Sequence, residues 1–283
     1  MELQPSELAA HVSRALAEDV GRGDVTSILT VPADSRGEAL LVAREEGVLA
    51  GVSALLEVCR QVDSRIEVQL SAADGDFLAA GRTVCRLLGP SRSLLTAERT
   101  ALNYLQHLSG IATRTARFVE LVAGTGARIV DTRKTIPGMR LLAKYAVRVG
   151  GGSNHRFGLD DGILIKDNHI AAAGGISAAV SAARRGAPHL LKVEVEVEDL
   201  TQVAEALDAR ADLLLLDNMS PETLSRAVDL ARGRALTEAS GGIREETIRA
   251  VAECGVDLIS IGALTHSVRA MDFALDWGST ASA

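Results

Sequence analysis

The chain has 283 residues, 47% hydrophobic and 24% charged, which suits one large soluble domain or two ordinary ones. A net charge of −7 and a pI near 5.5 argue against a nucleic-acid or acidic-membrane binder, so an anion would have to be met locally, in a cleft. No apolar run approaches the ~18 residues of a membrane span, no leader pattern opens the chain, and the three cysteines (Cys59, Cys85, Cys254) lack metal or redox spacing, so buried thiols and a cytoplasmic protein are expected.

In chain order, residues 6–19 carry apolar side chains at helical spacing behind Ser6 as N-cap, and Gly21-Arg22-Gly23-Asp24 ends that helix. Glu38–Arg44, Ile66–Leu70 and Thr83–Leu88 read as strands, with a helix near Ser53–Gln61 and a tight turn at Asp74-Gly75-Asp76. Asp74–Leu88 looks like half of a lipoyl or biotinyl carrier domain, but no lysine lies in this half to bear the group. Gly89-Pro90 closes the region, and Thr96 is expected to cap a helix to Gly110 with Leu102, Leu105 and Leu108 on one face; a second helical stretch, Ile111–Ala123, follows.

From Arg128 the pattern repeats. Apolar strands end at Asp131, Lys166, Val197, Asp217, Glu238 and Gly262, and helices lie between the later ones, one of them with Ser220 as N-cap and Pro221 at its first position. Such units imply parallel strands with right-handed crossovers. An open doubly wound sheet fits, but a barrel fits better, because polar groups stand at the C-terminal end of each strand, where barrels assemble sites. Six counted strands predict an α/β fold with an incomplete, six- to seven-stranded barrel over 111–267. It follows an N-terminal α+β sandwich over 1–110, on which the segment 268–283 is expected to pack.

Arginine outnumbers lysine 26 to 4, so the lysines at positions 134, 144, 166 and 192 are candidates for work that needs a compact charge. Arg133 and Lys134 follow Asp131-Thr132 at a strand end, where a guanidinium can chelate a carboxylate, although a surface turn would look the same. His155-Arg156 follows three glycines, a loop that is either a flexible linker or a close-approach wall for a ligand. Lys166 reads as a Schiff-base nucleophile or as a fixed cation. Glu194 and Glu196 share one strand face with Lys192, and Asp217 ends a buried strand, where it suits ribose hydroxyls or magnesium. Ser240-Gly241-Gly242 and Gly262-Ala263 expose backbone N–H groups for a phosphate. Gly124-Thr125-Gly126 precedes a strand and lacks the third glycine of a dinucleotide fingerprint, and the six histidines show no zinc spacing.

Asp131–Thr135, Gly151–Arg156, Leu164–His169, Glu194-Val-Glu196 and Leu216-Asp-Asn218, with Gly23–Thr26, Arg44–Gly47 and Thr96–Asn103, resemble in this order the quinolinate phosphoribosyltransferases, over nearly the whole chain. The resemblance implies quinolinate and phosphoribosyl pyrophosphate as substrates. Nicotinate mononucleotide, pyrophosphate and carbon dioxide would be the products, in de novo NAD synthesis. It implies Mg²⁺ held through substrate, with Glu196 and Asp217 as nearby carboxylates and no strong direct ligation. Arg99, Arg133, His155 and Arg156 would hold the quinolinate carboxylates, with Thr132 also binding substrate and Lys134 and Lys166 near both substrates. Glu196 and Asp217 would take the ribose hydroxyls, and Ser240, Gly241, Gly242, Gly262 and Ala263 the 5′-phosphate. The family pattern is a homodimer with Arg99 acting in trans, and its chemistry needs no covalent intermediate, which sets the Schiff base on Lys166 aside. A paralogue with another substrate and a non-catalytic pyridine-carboxylate sensor are the rival expectations.

Overall fold

A computed structural model describes residues 3–278. The chain begins with α1 (Pro5–Asp19), in which Ser6 lies inside the first turn because Gln4 is the N-cap and Pro5 supplies the preset first helical φ. Asp24 caps the short α2 (Val25–Thr30) by accepting the Ser27 N–H at 3.0 Å. Then come β1 (Arg36–Ala43), β2 (Gly47–Val48), α3 (Val52–Val62), β3 (Glu67–Leu70), β4 (Phe77–Leu78) and β5 (Thr83–Pro90). Gly89 and Pro90 do not end the region as the sequence suggests: they pair with Gly37 and Arg36, so β5 runs straight into α4 (Ser91–Leu121). Thr96 is therefore interior, its hydroxyl donating to the Arg92 carbonyl at 2.8 Å, and α4 passes Gly110 unbroken.

The later elements are β6 (Arg128–Val130), α5 (Arg140–Val149), β7 (Ile163–Ile165), α6 (Asp167–Ala173), α7 (Ile176–Gly186), β8 (Val193–Val197), α8 (Leu200–Asp208) and β9 (Leu213–Asp217). They continue with α9 (Pro221–Ala231), β10 (Leu236–Ser240), α10 (Glu245–Glu253), β11 (Leu258–Ser260), α11 (Ala263–His266) and β12 (Phe273–Trp277).

Two compact units interleave along the chain. The first holds 1–114, 141–150 and 267–283. Its antiparallel sheet has the order β12-β1-β5-β3, beside a two-stranded β2-β4 ladder. The segment 268–283 thus contributes β12 to this sheet, with residues 279–283 outside the described part. Helix α5, expected within 111–267, clusters with the first unit: Leu142, Ala143, Ala146 and Val147 are buried, and the Tyr145 hydroxyl donates to Asp74 at 2.5 Å.

The second unit holds 115–140 and 151–266 and is built on six parallel strands in the order β6-β11-β10-β9-β8-β7. A single parallel bridge from Val130 to Ser153 extends it past β6, a strand position reduced to one pair. Val193, Val195, Val197 and Leu214 are fully buried, as expected for parallel strands covered by helices. Ser220 caps α9, accepting the Thr223 N–H at 3.3 Å, with Pro221 at the first position.

Gly110 marks where the C-terminal chain crosses α4, since a Cβ there would run into the Arg269 carbonyl oxygen and lie 2.9 Å from Val268 Cγ1. In an open helix Gly→Ala gains about 1 kcal/mol. Overpacking against a backbone atom costs about 1–3 kcal/mol. Gly110→Ala is therefore expected to lower the melting temperature, and a calorimetric melt showing an unchanged or raised midpoint would refute the crossing.

Candidate functional site

The strand ends of the second unit gather the motifs that the sequence separates. Asp131, just past β6, has no exposed surface. Its Oδ1 accepts the His155 N–H at 3.0 Å and its Oδ2 the Asn154 side-chain amide at 2.5 Å. With the Val130–Ser153 bridge, this fastens the glycine loop and its His-Arg pair beside Thr132-Arg133-Lys134. Thr132 Oγ1 accepts the Lys134 N–H at 3.0 Å and turns the chain after the strand. Arg140, which sequence reasoning passed over, ties both loops: it donates to Thr135 Oγ1, to the Phe157 carbonyl and to the Arg133 carbonyl at 3.2, 3.1 and 3.3 Å. Its only sequence signal is position, at the start of an amphipathic helix that follows a cationic strand end.

Arg133 and Arg156 come close enough for their charges to matter. Burial and then the neighbouring Arg133 charge hold the Arg156 guanidinium below its ordinary pKa, with Glu194 and Asp161 opposing. Arg156 Nη1 donates to the Gly162 carbonyl at 2.9 Å, but the Nε atoms of both arginines are buried without a hydrogen-bond partner. A buried donor left unmet costs about 1–3 kcal/mol, so the pair is arranged for an acceptor that is not part of the chain.

The lysines stand further out. Lys166, its side chain 47% exposed, donates to Glu196 Oε2 at 2.5 Å across the ends of β7 and β8. Lys134 is exposed and its stem passes over Gly262, where a Cβ would sit 3.0 Å from Lys134 Cδ and 3.2 Å from the His266 ring. Thr265 Oγ1 donates to the Lys134 carbonyl at 2.8 Å, so the first and last strands of the barrel meet at Gly262-Ala263. His266 was missed; its signal is its place one helical turn beyond Gly262. Asp217 accepts from the Asn218 amide at 2.6 Å, and Asn218, at φ +53, donates its N–H to the Ser240 carbonyl at 3.0 Å. Gly241 (φ +94) lies where a Cβ would collide with the Asn218 side chain, so the Asp217 and Ser240 strand ends pack side by side. Helix α10 starts only at Glu245, with Glu245 and Glu246 in its first turn. The expected phosphate N–H groups at Ser240–Gly242 therefore lie in a loop and not at that helix end. Arg99, expected at the site, falls in the first unit and is exposed on α4.

One layer below, the barrel holds a cluster that the sequence half revealed. His155 Nε2 lies 3.0 Å from Glu194 Oε2 and 3.8 Å from Glu238 Oε2. Glu238 was read only as a strand end; its two-residue spacing from Ser240 puts it on the same inward face. Burial, and then the Glu194 charge, push the Glu238 carboxyl up to about 7. The three ligand atoms lie within 4.8 Å of one another, the spacing a metal ion would need.

The sequence profile described as "Quinolinate phosphoribosyl transferase, N-terminal domain" matches residues 24–109, and the one described as its C-terminal domain matches 111–276. The chain is 46% identical over 259 residues to a "Probable nicotinate-nucleotide pyrophosphorylase [carboxylating]" of Bacillus subtilis, covering 92% of this chain and 89% of the relative. It is 46% identical over 271 residues to the nicotinate-nucleotide pyrophosphorylase [carboxylating] of Mycobacterium leprae, covering 94% and 95%. The solved structure of the nicotinate-nucleotide pyrophosphorylase from Francisella tularensis superposes with a TM-score of 0.93 at 42% identity, over 98% of each chain. With both halves matched and the strand-end cations gathered as above, the chain belongs to the quinolinate phosphoribosyl transferase family.

Proposed function

We propose that the chain transfers the phosphoribosyl group of phosphoribosyl pyrophosphate to quinolinate and releases nicotinate mononucleotide, pyrophosphate and carbon dioxide, a step of NAD biosynthesis. The observation that carries this reading is the Arg133–Arg156 pair, two adjacent guanidiniums whose buried Nε donors have no partner. A pyridine with carboxylates on adjacent ring carbons presents two anions at the spacing of two neighbouring cations, and each guanidinium can hold a carboxylate by parallel hydrogen bonds.

With the dianion on Arg133 and Arg156, the ring nitrogen faces the sugar, whose hydroxyls meet Glu196 and Asp217. Its 5′-phosphate is taken by the N–H groups at Ser240–Gly242 and Gly262-Ala263. The anomeric C–O bond to pyrophosphate breaks and the N–C bond forms, and the two carboxylates favour the positive charge that develops on the sugar. Lys134 and Lys166 stand at the mouth for the pyrophosphate. The quaternised nitrogen then stabilises the electron pair left at C2 as the C2–carboxylate bond breaks, and C2 takes up a proton. Hard cations of the Mg²⁺ type keep several waters and need one or two carboxylates plus substrate phosphates. Asp217 at an open strand end, with Glu196 on the neighbouring strand, fits that requirement. Such an ion would neutralise the leaving pyrophosphate.

We assign the protein to the cytoplasm, a reading supported by the free, buried Cys59 and Cys85 and by the lack, among the described residues, of a helix long and apolar enough to cross a membrane. We also assign it a homodimer in which a second copy lends Arg99, supported by the exposure of Arg99 on α4 and by the family pattern.

The test is turnover with quinolinate, phosphoribosyl pyrophosphate and Mg²⁺, read as nicotinate mononucleotide by mass, with nicotinate as the control acceptor. Product from nicotinate alone, or none at all, would defeat the reading. Arg133→Ala and Arg156→Ala are each expected to raise the quinolinate KM about ten- to hundredfold, the loss of a charged hydrogen bond worth about 1.5–3 kcal/mol, with a smaller change for phosphoribosyl pyrophosphate. Equal changes in both KM values would mean that the pair does not hold quinolinate. Arg99→Ala and Lys134→Ala proteins, each inactive alone, should regain part of the activity when mixed and allowed to exchange subunits; exchange without recovery would place Arg99 in its own subunit's site.

A further inference from the structure

His155 is expected from the family resemblance to grip a quinolinate carboxylate, but its ring nitrogens already have partners. Nδ1 accepts the backbone N–H of Arg156 at 2.7 Å. Nε2 faces Glu194 Oε2 at 3.0 Å. An imidazole nitrogen that accepts an N–H carries a lone pair, so the ring proton sits on Nε2 and is donated to Glu194. The opposite ring orientation would put a C–H against each partner. An imidazolium would set an N–H against the Arg156 N–H at 2.7 Å, which its geometry excludes. The same bond disposes of a metal on His155, Glu194 and Glu238, despite their spacing. A metal-bound histidine donates its second N–H to an acceptor. Here that nitrogen meets a donor.

We infer that His155 is a positioning residue: a neutral strut from the Glu194 carboxylate to the main chain of Arg156, which aims the Arg156 guanidinium beside that of Arg133 and makes no contact with substrate itself. This rests on the reading of the site as a quinolinate site. The strut is braced at three points. The His155 N–H is held by Asp131, its Nε2–H by Glu194 with Glu238 at 3.8 Å, and the Arg156 side chain by the Gly162 carbonyl. Any loosening of the ring moves the Arg156 backbone first, and the guanidinium with it.

Two measurements test the inference. In the wild-type protein with ¹⁵N-labelled histidine, the spectrum of His155, assigned by its loss in His155→Ala, should show one bare and one protonated ring nitrogen, both without ligand and with quinolinate. Two protonated nitrogens in either state would overturn it. In steady-state kinetics, His155→Asn keeps an acceptor for the Arg156 N–H, and His155→Gln keeps a donor for Glu194. Each should lie between wild type and His155→Ala in the quinolinate KM, with His155→Ala raised about tenfold by the lost strut and the phosphoribosyl pyrophosphate KM little changed. Neutral variants no better than His155→Ala would indicate a charged histidine on the substrate. The ligand-free spectrum needs no turnover, so a failure of the quinolinate assay and a failure of the strut are told apart.

Discussion

A carboxylate with no exposed surface, that of Asp131, joins the two parts of the cationic site. It lies just past β6 and takes the His155 N–H and the Asn154 amide, so a loop more than twenty residues further along hangs on the first strand of the barrel. A buried carboxylate is tolerable when N–H groups converge on it and expensive otherwise. Here the hydrogen bonds that satisfy it also set the approach of Arg156 to Arg133. Arg140 then fixes the outer rim by holding the carbonyls of Arg133 and Phe157. The site is positioned mostly by backbone groups, which move less than side chains.

The charged groups of the strand ends differ in exposure. Lys134 is exposed and Lys166, also exposed, pairs with Glu196; Arg133 and Arg156 are half-buried, and the carboxylates of Glu194 and Glu238 are buried. The Glu194 and Asp161 charges oppose the effect of Arg133 on Arg156. A chain with net charge −7 thus gathers Arg133, Lys134, Arg156 and Lys166 at the strand ends of one unit.

The parts of this arrangement that obey a period were legible in the sequence. The strand end at Asp217, and the one expected at Lys166 and found one residue earlier, follow from apolar runs closed by one charged residue, the end at Val197 from an alternating run, and the Ser220-Pro221 start of α9 from capping chemistry. What escaped depends on contacts distant in sequence. Gly89-Pro90 looks like a terminator, but pairing with Arg36 and Gly37 keeps it in β5. Gly110 looks like a helix break, but it is a crossing point for residues 268–270. Helix α5 carries an ordinary amphipathic pattern that does not say which unit it will join. Glu238 sits in a strand whose composition marks it as buried, yet nothing nearby in sequence names His155 as its neighbour.

The division between arginine and lysine has a physical basis that composition alone only hinted at. A guanidinium is weakly hydrated and keeps its charge when partly buried, and its planar fork fixes the direction of its donors. Arg133 and Arg156, half-buried with unmet Nε atoms, have the property that the proposed recognition of a flat, rigid dianion would need. An ammonium is strongly hydrated and adapts its donors to whatever approaches, and Lys134 and Lys166 stand exposed, which suits the contact with a flexible polyphosphate proposed for them. Lys192, at the opposite end of β8 from Glu196, is exposed and lies outside this logic, and Lys144 is buried in α5 of the other unit. Scarcity of lysine in the chain therefore does not separate the strand-end lysines from the other two. Position at the C-terminal end of a parallel strand does, because that end is where the barrel geometry brings side chains from successive strands to one place.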